Sequence, residues 1–179
     1  TGTPMQGVVF EATRDGKSIG YFTTGPDGSF TIPYADSGTY IFKEYHTLAG
    51  HELNREPIVI EHTTDGNVDI VVDNVEYKDL IVHKIDSQSK APIAGVTFSI
   101  WRDGVLLGDY VTDENGKITL SKAQPGTYKV QEKATLKEYI LNDEVLEIEH
   151  TTDKATEVTF ENTKRPGILI QKIDAESRK

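Results

Sequence analysis

The strongest constraint on this chain is an internal repeat that runs without a gap. Gly7 matches Gly95, Tyr40 matches Tyr128 and Asn74 matches Asn162, each pair 88 positions apart. In the same register Arg14-Asp15-Gly16 returns as Arg102-Asp103-Gly104, and Gly38-Thr39-Tyr40 as Gly126-Thr127-Tyr128. Glu61-His62-Thr63-Thr64-Asp65 likewise returns as Glu149-His150-Thr151-Thr152-Asp153. About one position in three is identical, and self-similarity at a fixed offset is the signature of a duplicated structural unit. The 179 residues therefore divide into copies of one domain.

Within a copy, short runs alternate in hydrophobicity between turn signals such as Arg102-Asp103-Gly104, Glu114-Asn115-Gly116 and Gln124-Pro125-Gly126. That pattern predicts an all-β fold of tandem, Ig-like antiparallel β-sandwiches, with no segment of helical period. Strands are expected near 79–86, 94–101, 105–112, 117–120, 127–133, 144–149 and 156–162. The first of them, Leu80-Ile81-Val82-His83-Lys84-Ile85-Asp86, recurs as Ile168-Leu169-Ile170-Gln171-Lys172-Ile173-Asp174, while its copy for the first repeat would fall before Thr1. The expected organisation is a repeat lacking its first strand at 1–76, a complete repeat at 77–164, and the first strand of a following repeat at 165–179.

Alternate residues of a strand share a face. Lys84 then lies with Leu80 and Val82, Glu132 with Tyr128 and Val130, and Asn162 with Val158 and Phe160. The first repeat echoes this with Tyr40, Phe42 and Glu44, then Ile70, Val72 and Asn74, and the spare strand with Ile168, Ile170 and Lys172. Charges on an apolar face cost several kcal/mol unless paired or neutralised. Desolvation lowers a lysine pKa and raises a glutamate's, by about 3–5 units at full burial, so a neutral amine can sit beside a neutral acid. Such an amine could attack the asparagine carbonyl while the acid donates to its oxygen and shuttles protons until ammonia leaves. The product is a Lys–Asn isopeptide crosslink closing a loop of roughly 80 residues, worth about 4 kcal/mol by analogy with disulfides. The alternative is an unreacted buried Lys–Glu ion pair bonded to an asparagine amide.

The strand Leu80 to Asp86, the segment Pro92-Ile93-Ala94-Gly95-Val96-Thr97-Phe98, the strand Gly126 to Glu132 and the terminal Val158-Thr159-Phe160-Glu161-Asn162 resemble the Cna B-type (collagen-adhesin B repeat) domains of Gram-positive surface proteins and pilins. The resemblance implies a transthyretin-like sandwich, an extracellular place on the Gram-positive cell wall, and autocatalytic isopeptide formation. It assigns Lys84 as nucleophile, Glu132 as catalytic acid and Asn162 as electrophile. In the first repeat Glu44 and Asn74 have no lysine upstream of them.

The net charge of −10 and a pI near 4.9 argue against nucleic-acid or anionic-membrane partners. No apolar run is long enough to span a bilayer, and the first residues lack a signal-peptide pattern, so a soluble fragment or mature segment is expected. With no cysteine, disulfides and thiolate chemistry are excluded. His46, His51, His62, His83 and His150 show no paired ligand spacing, and His62 and His150 read as parts of a polar loop; no metal and no cofactor is expected. Asp113-Glu114-Asn115-Gly116 reads as a turn rather than a calcium loop. Trp101 reads as edge packing, and no motif points to turnover of an external substrate.

The chain thus reads as a structural stalk or spacer whose partners are neighbouring repeats; the alternative is an adhesive module binding host protein or glycan through its loops. Lys172 lies ten residues past Asn162, a reach of at most about 33–36 Å, so closing onto Glu44 and Asn74 within one molecule is strained if the repeats are collinear. Entry of the C-terminal strand into the first repeat of another molecule, setting Lys172 against Asn74, is the expected head-to-tail association.

Overall fold

A computed structural model describes residues 2–173. The chain forms two compact units, one built mainly from the residues up to Asp79 and the other mainly from Leu80 onward. Unit 1 contains β1 (Val9–Arg14), β2 (Lys17–Thr23), β3 (Gly38–His46) and β4 (Ile58–His62). Unit 2 contains β5 (Leu80–Asp86), β6 (Thr97–Arg102), β7 (Val105–Val111), β8 (Lys117–Leu120), β9 (Gly126–Ala134), β10 (Val145–His150) and β11 (Thr156–Asn162). All described elements are strands, as the alternation predicted.

Unit 2 is a sandwich of a four-stranded sheet, ordered β10-β9-β6-β7, on a three-stranded sheet, ordered β11-β5-β8. Leu80, Val82, Val96, Phe98, Ile100, Tyr128, Val130 and Phe160 fill the space between them, each no more than 1% exposed. One pair departs from the antiparallel pattern: β5 and β11 run parallel, with Lys84 opposite Phe160. Parallel neighbours need a long crossover, and here nearly the whole domain supplies it.

Hairpin turns repeat between the units. Asp15-Gly16 joins β1 to β2 and Asp103-Gly104 joins β6 to β7, all four residues having positive φ of 49–80°. This is the two-residue type I′ geometry that matches strand twist and favours Asp-Gly. Gly116 works differently. A Cβ there would lie 2.5 Å from the Lys84 carbonyl oxygen and 2.9 Å from the Ile93 nitrogen, so only glycine lets the turn press against β5.

Unit 1 repeats the four-stranded sheet, ordered β2-β1-β3-β4. Residues 29–32 and 68–74, the counterparts of β8 and β11, are not strands. The inward-facing strand expected for Ile70, Val72 and Asn74 is therefore replaced by an irregular segment, with Ile70 46% and Val71 96% exposed. The reason is the topology of unit 2, where β8 and β11 each pair with β5. Among the described residues no strand stands beside 29–32 or 68–74 as β5 does in unit 2, and a strand without a ladder partner leaves its backbone groups unsatisfied and stays irregular. The exposed face of the remaining sheet is partly covered by Phe30, whose ring packs 5.3–5.8 Å from Phe10, Phe22 and Phe42.

Two histidines correct the polar-loop reading. His150 ends β10, is fully buried, meets Tyr128 edge-on at 5.7 Å and contacts Thr156 Oγ1 at 2.8 Å. His62 ends β4 and meets Tyr40 in the same way at 5.9 Å. The recurring Tyr–His pair is a packing element of the sandwich end. Trp101 lies on the inner strand β6 rather than at a sheet edge, with the Lys129 ammonium 4.6 Å from its ring centre.

Candidate functional site

Three strands of unit 2 converge on one buried point. Lys84 projects from the central strand of the three-stranded sheet with β5's buried residues Leu80, Val82 and Asp86, and is itself fully buried. Its Nζ lies 2.7 Å from Glu132 Oε2 and donates to Asn162 Oδ1 at 2.6 Å. Asn162 Nδ2 donates to Glu132 Oε1 at 2.7 Å and to Thr135 Oγ1 at 2.9 Å. The triangle is closed, and each carboxylate oxygen faces a different nitrogen. Phe98 and Phe160 wall it, with ring centres 5.8 and 5.9 Å from Lys84 Nζ.

Burial pushes the Lys84 ammonium below its ordinary pKa, and the hydrogen bond and charge of Glu132 oppose that shift. Desolvation is the larger effect, as expected for a cation moved from water into an aromatic cage. The orientation of the Asn162 amide is dictated by charge, since its NH₂ must face the carboxylate and its carbonyl the lysine. Glu132 therefore bridges the Lys84 and Asn162 nitrogens, one on each carboxylate oxygen. That differs from the expected hydrogen bond of the acid to the carbonyl oxygen, which faces Lys84 instead.

An acidic anchor adjoins the triangle. Asp86, 4% exposed, accepts hydrogen bonds from the backbone nitrogens of Ser89 and Gln88 at 2.8 and 3.0 Å and from the Tyr139 hydroxyl at 3.1 Å. These bonds, the Ser89 backbone foremost, hold its carboxyl down to about 2, and they fix the end of β5 just beyond Lys84.

Unit 1 holds the matching acceptor pair. Glu44 is 7% exposed, and both its oxygens lie 2.8 Å from Asn74 Nδ2. The Asn54 backbone nitrogen also donates to Glu44, at 3.0 Å. The structure thus brings Lys84, Glu132 and Asn162 together, and Glu44 with Asn74. It does not bring Lys172 to them: that residue is exposed on the segment after β11, as are Ile168, Leu169 and Ile170. Asp174, the last residue of the expected spare strand, lies outside the described residues.

Sequence reasoning missed Asp86, Tyr139 and Thr135. Asp86 had a signal, since it continues the parity of Lys84 along β5. Tyr139 and Thr135 follow the end of β9, where alternation no longer says which way a side chain points.

The sequence matches the SpaA prealbumin-like fold domain twice, over residues 1–76 and 78–164. It is 37% identical over 82 residues to the trypsin-resistant surface T6 protein of Streptococcus pyogenes, a stretch covering 45% of this chain and 15% of that protein. The fold is similar to that of the shaft pilin SpaA from Lactobacillus rhamnosus GG, with a TM-score of 0.53 at 18% identity, over 94% of this chain and 91% of the pilin. A lower-scoring likeness, TM-score 0.48 at 23% identity, is to the Bacillus anthracis TIE protein, over 90% of this chain and 31% of that one. The two matched segments, the all-β sandwich and the buried Lys84–Glu132–Asn162 triangle place this chain in the SpaA prealbumin-like, Cna B-type domain family of Gram-positive surface proteins and pilins.

Proposed function

We propose that the chain is a structural stalk segment of a Gram-positive cell-surface protein, and that unit 2 locks itself with a Lys84–Asn162 isopeptide bond. The observation that carries this reading is the closed triangle, with contacts of 2.6, 2.7 and 2.7 Å among groups shielded from water. Left unreacted, an ion pair so buried repays its desolvation poorly. Reaction removes the charge on the lysine altogether.

The chemistry needs no cofactor. A proton of the Lys84 ammonium passes to Glu132 Oε2, leaving a neutral amine beside a neutral acid. Nζ attacks Asn162 Cγ and the Nζ–Cγ bond forms. Glu132 then gives a proton to Nδ2 as it takes one from Nζ, the Cγ–Nδ2 bond breaks, and ammonia departs. One amine and one primary amide become one secondary amide and one ammonia, and Glu132 ends protonated as it was when the attack began. The bond ties β5 to β11, so a pull on both ends of the repeat is carried by a covalent link between neighbouring strands.

The domain organisation we propose is a repeat at 1–76 without its first strand, a complete repeat at 77–164, and the first strand of another at 165–179. Unit 1 then accepts a lysine-bearing strand, and the chain supplies one of the right pattern around Lys172. Glu44 and Asn74 already stand paired, and Ile168, Leu169 and Ile170 are 88–93% exposed, an apolar run suited to insertion. Successive molecules would join head-to-tail through Lys172 and Asn74. Denaturing gels of concentrated protein test this: ladders that vanish in Lys172→Ala are expected, and a single monomer band at all concentrations would reject covalent linkage between molecules.

A further inference from the structure

An asparagine amide has two N–H donors, and its terminal torsion is broad unless both are held. In unit 2 they are held by Glu132 Oε1 at 2.7 Å and Thr135 Oγ1 at 2.9 Å. In unit 1 the counterpart of Thr135 is Thr47, yet Asn74 Nδ2 turns instead to both oxygens of Glu44 and to the Glu52 carbonyl, each at 2.8 Å. Thr47 Oγ1 is left buried without a hydrogen-bond partner among the described residues. The chain past each asparagine meets the same loop in both units. Glu52 N donates to Val75 O at 2.8 Å just as Ile140 N donates to Thr163 O at 3.0 Å. The difference lies in the asparagine: Asn162 stands on β11, Asn74 on the irregular segment 68–74, and the two side chains take different second acceptors.

We infer that Thr135 is a positioning residue for the crosslink: its hydroxyl is the second acceptor that fixes the Asn162 amide plane, with carbonyl toward Lys84 and nitrogen toward Glu132. Thr47 is the same element in unit 1, vacated where, among the described residues, no lysine fixes the other side of the Asn74 amide. The physical logic is orientational. Lys84 and Glu132 set which end of the amide faces which group, but the hold of Lys84 on Oδ1 weakens once its ammonium gives up a proton, leaving Glu132 on one N–H as the main tether. A second acceptor on the far side of Nδ2 fixes the plane, so that the face of Cγ stays open to Nζ and the reacting atoms stay in near-attack geometry. A buried hydroxyl without a partner, as at Thr47, is unfavourable. Insertion of a lysine-bearing strand, by drawing Asn74 Oδ1 toward the ammonium, would return Nδ2 to it.

This inference rests on the proposed isopeptide reaction, and the test separates the two. The full chain is made by cell-free translation, samples are quenched in acid at intervals, and intact mass reports the fraction that has lost ammonia. Wild type is expected to react and Thr135→Ser to follow within about twofold, whereas Thr135→Val, with the same shape and no hydroxyl, slows at least about tenfold. Thr135→Ala gives the same comparison if the valine variant does not fold. To separate positioning from stability, the Thr135 changes are repeated with Lys84→Ala, where no bond can form and only melting is read. The inference requires a rate effect larger than the melting difference accounts for. Equal rates for Thr135→Val and wild type, or a serine variant as slow as valine, would overturn it while leaving the crosslink standing. A wild type that keeps its ammonia overturns the crosslink itself. In unit 1, Thr47→Val should leave melting unchanged or raised, and a clear loss would show that the Thr47 hydroxyl has a partner and that its role there is wrong.

Discussion

The two copies of the repeat carry the same strand signals, yet 117–120 and 156–162 are strands while their counterparts 29–32 and 68–74 are not. The four-stranded sheet is kept in both, down to the Asp-Gly turns and the Thr24 and Thr112 hydroxyls that accept from Val8 and Val96 at 3.0 Å. The difference traces to β5, which is the central strand of its sheet and the carrier of Lys84. A β-strand is stabilised by neighbours more than by its own composition, so removing the middle one dissolves both flanks. One strand therefore governs both the second sheet and the proposed crosslink.

The largest effect should come from removing that chemistry. Lys84→Ala deletes the proposed crosslink and leaves Glu132 buried without its cation, so unit 2 should lose at least the roughly 4 kcal/mol ascribed to loop closure. With a repeat of this size, that is a melting shift of about 15–30 °C by calorimetry. Unit 1 should be unaffected. Glu132→Gln, which keeps the shape but cannot carry the proton, should also leave the ammonia in place.

The comparison can be erased by supplying what unit 1 does not hold. A copy of residues 80–88 joined ahead of Thr1 restores the register of the repeat and sets a lysine against Glu44 and Asn74. Amide exchange at 29–32 and 68–74 should slow to the level of their counterparts, and a second ammonia should be lost. If exchange slows while the mass stays unchanged, strand pairing and bond formation are separable in unit 1.

A smaller difference is expected at the paired glycines. Gly116→Ala sets a Cβ against the Lys84 carbonyl at positive φ, and should cost about 1–3 kcal/mol. At Gly28 the same change meets Pro4 and Met5 but no β5 backbone, so unit 1 should suffer less, as read by chemical denaturation. The smallest effect concerns acid. Asp86 sits at about 2, below the ordinary value of about 3.9, so its contribution is complete above that ordinary value and fades as pH falls from about 4 toward 2. Acid titration of the Tyr139→Phe variant should show this fading shifted to higher pH, because one of the bonds depressing Asp86 is gone.

Much of this was legible in the sequence for a physical reason. Parity along a strand is strict, so Lys84, Glu132 and Asn162 could be put on one face from spacing alone, and the buried triangle followed once three strands converged. What spacing could not supply was pairing. It did not say that β11 would lie parallel to β5, nor that Ile70 and Val72 would lose their strand without that neighbour. Thr135 and Tyr139 lie past the strand end, where direction depends on a loop path, and His150 looked polar until Tyr128 was packed against it.

The central claim is that the buried triangle of unit 2 reacts. Intact-mass measurement of the purified chain, followed by tandem mass spectrometry of its proteolytic fragments, tests it most directly. The account predicts a chain lighter by one ammonia, with a branched fragment joining the peptide of Lys84 to that of Asn162. A chain of full mass, or a branch at any other pair of residues in unit 2, would contradict it.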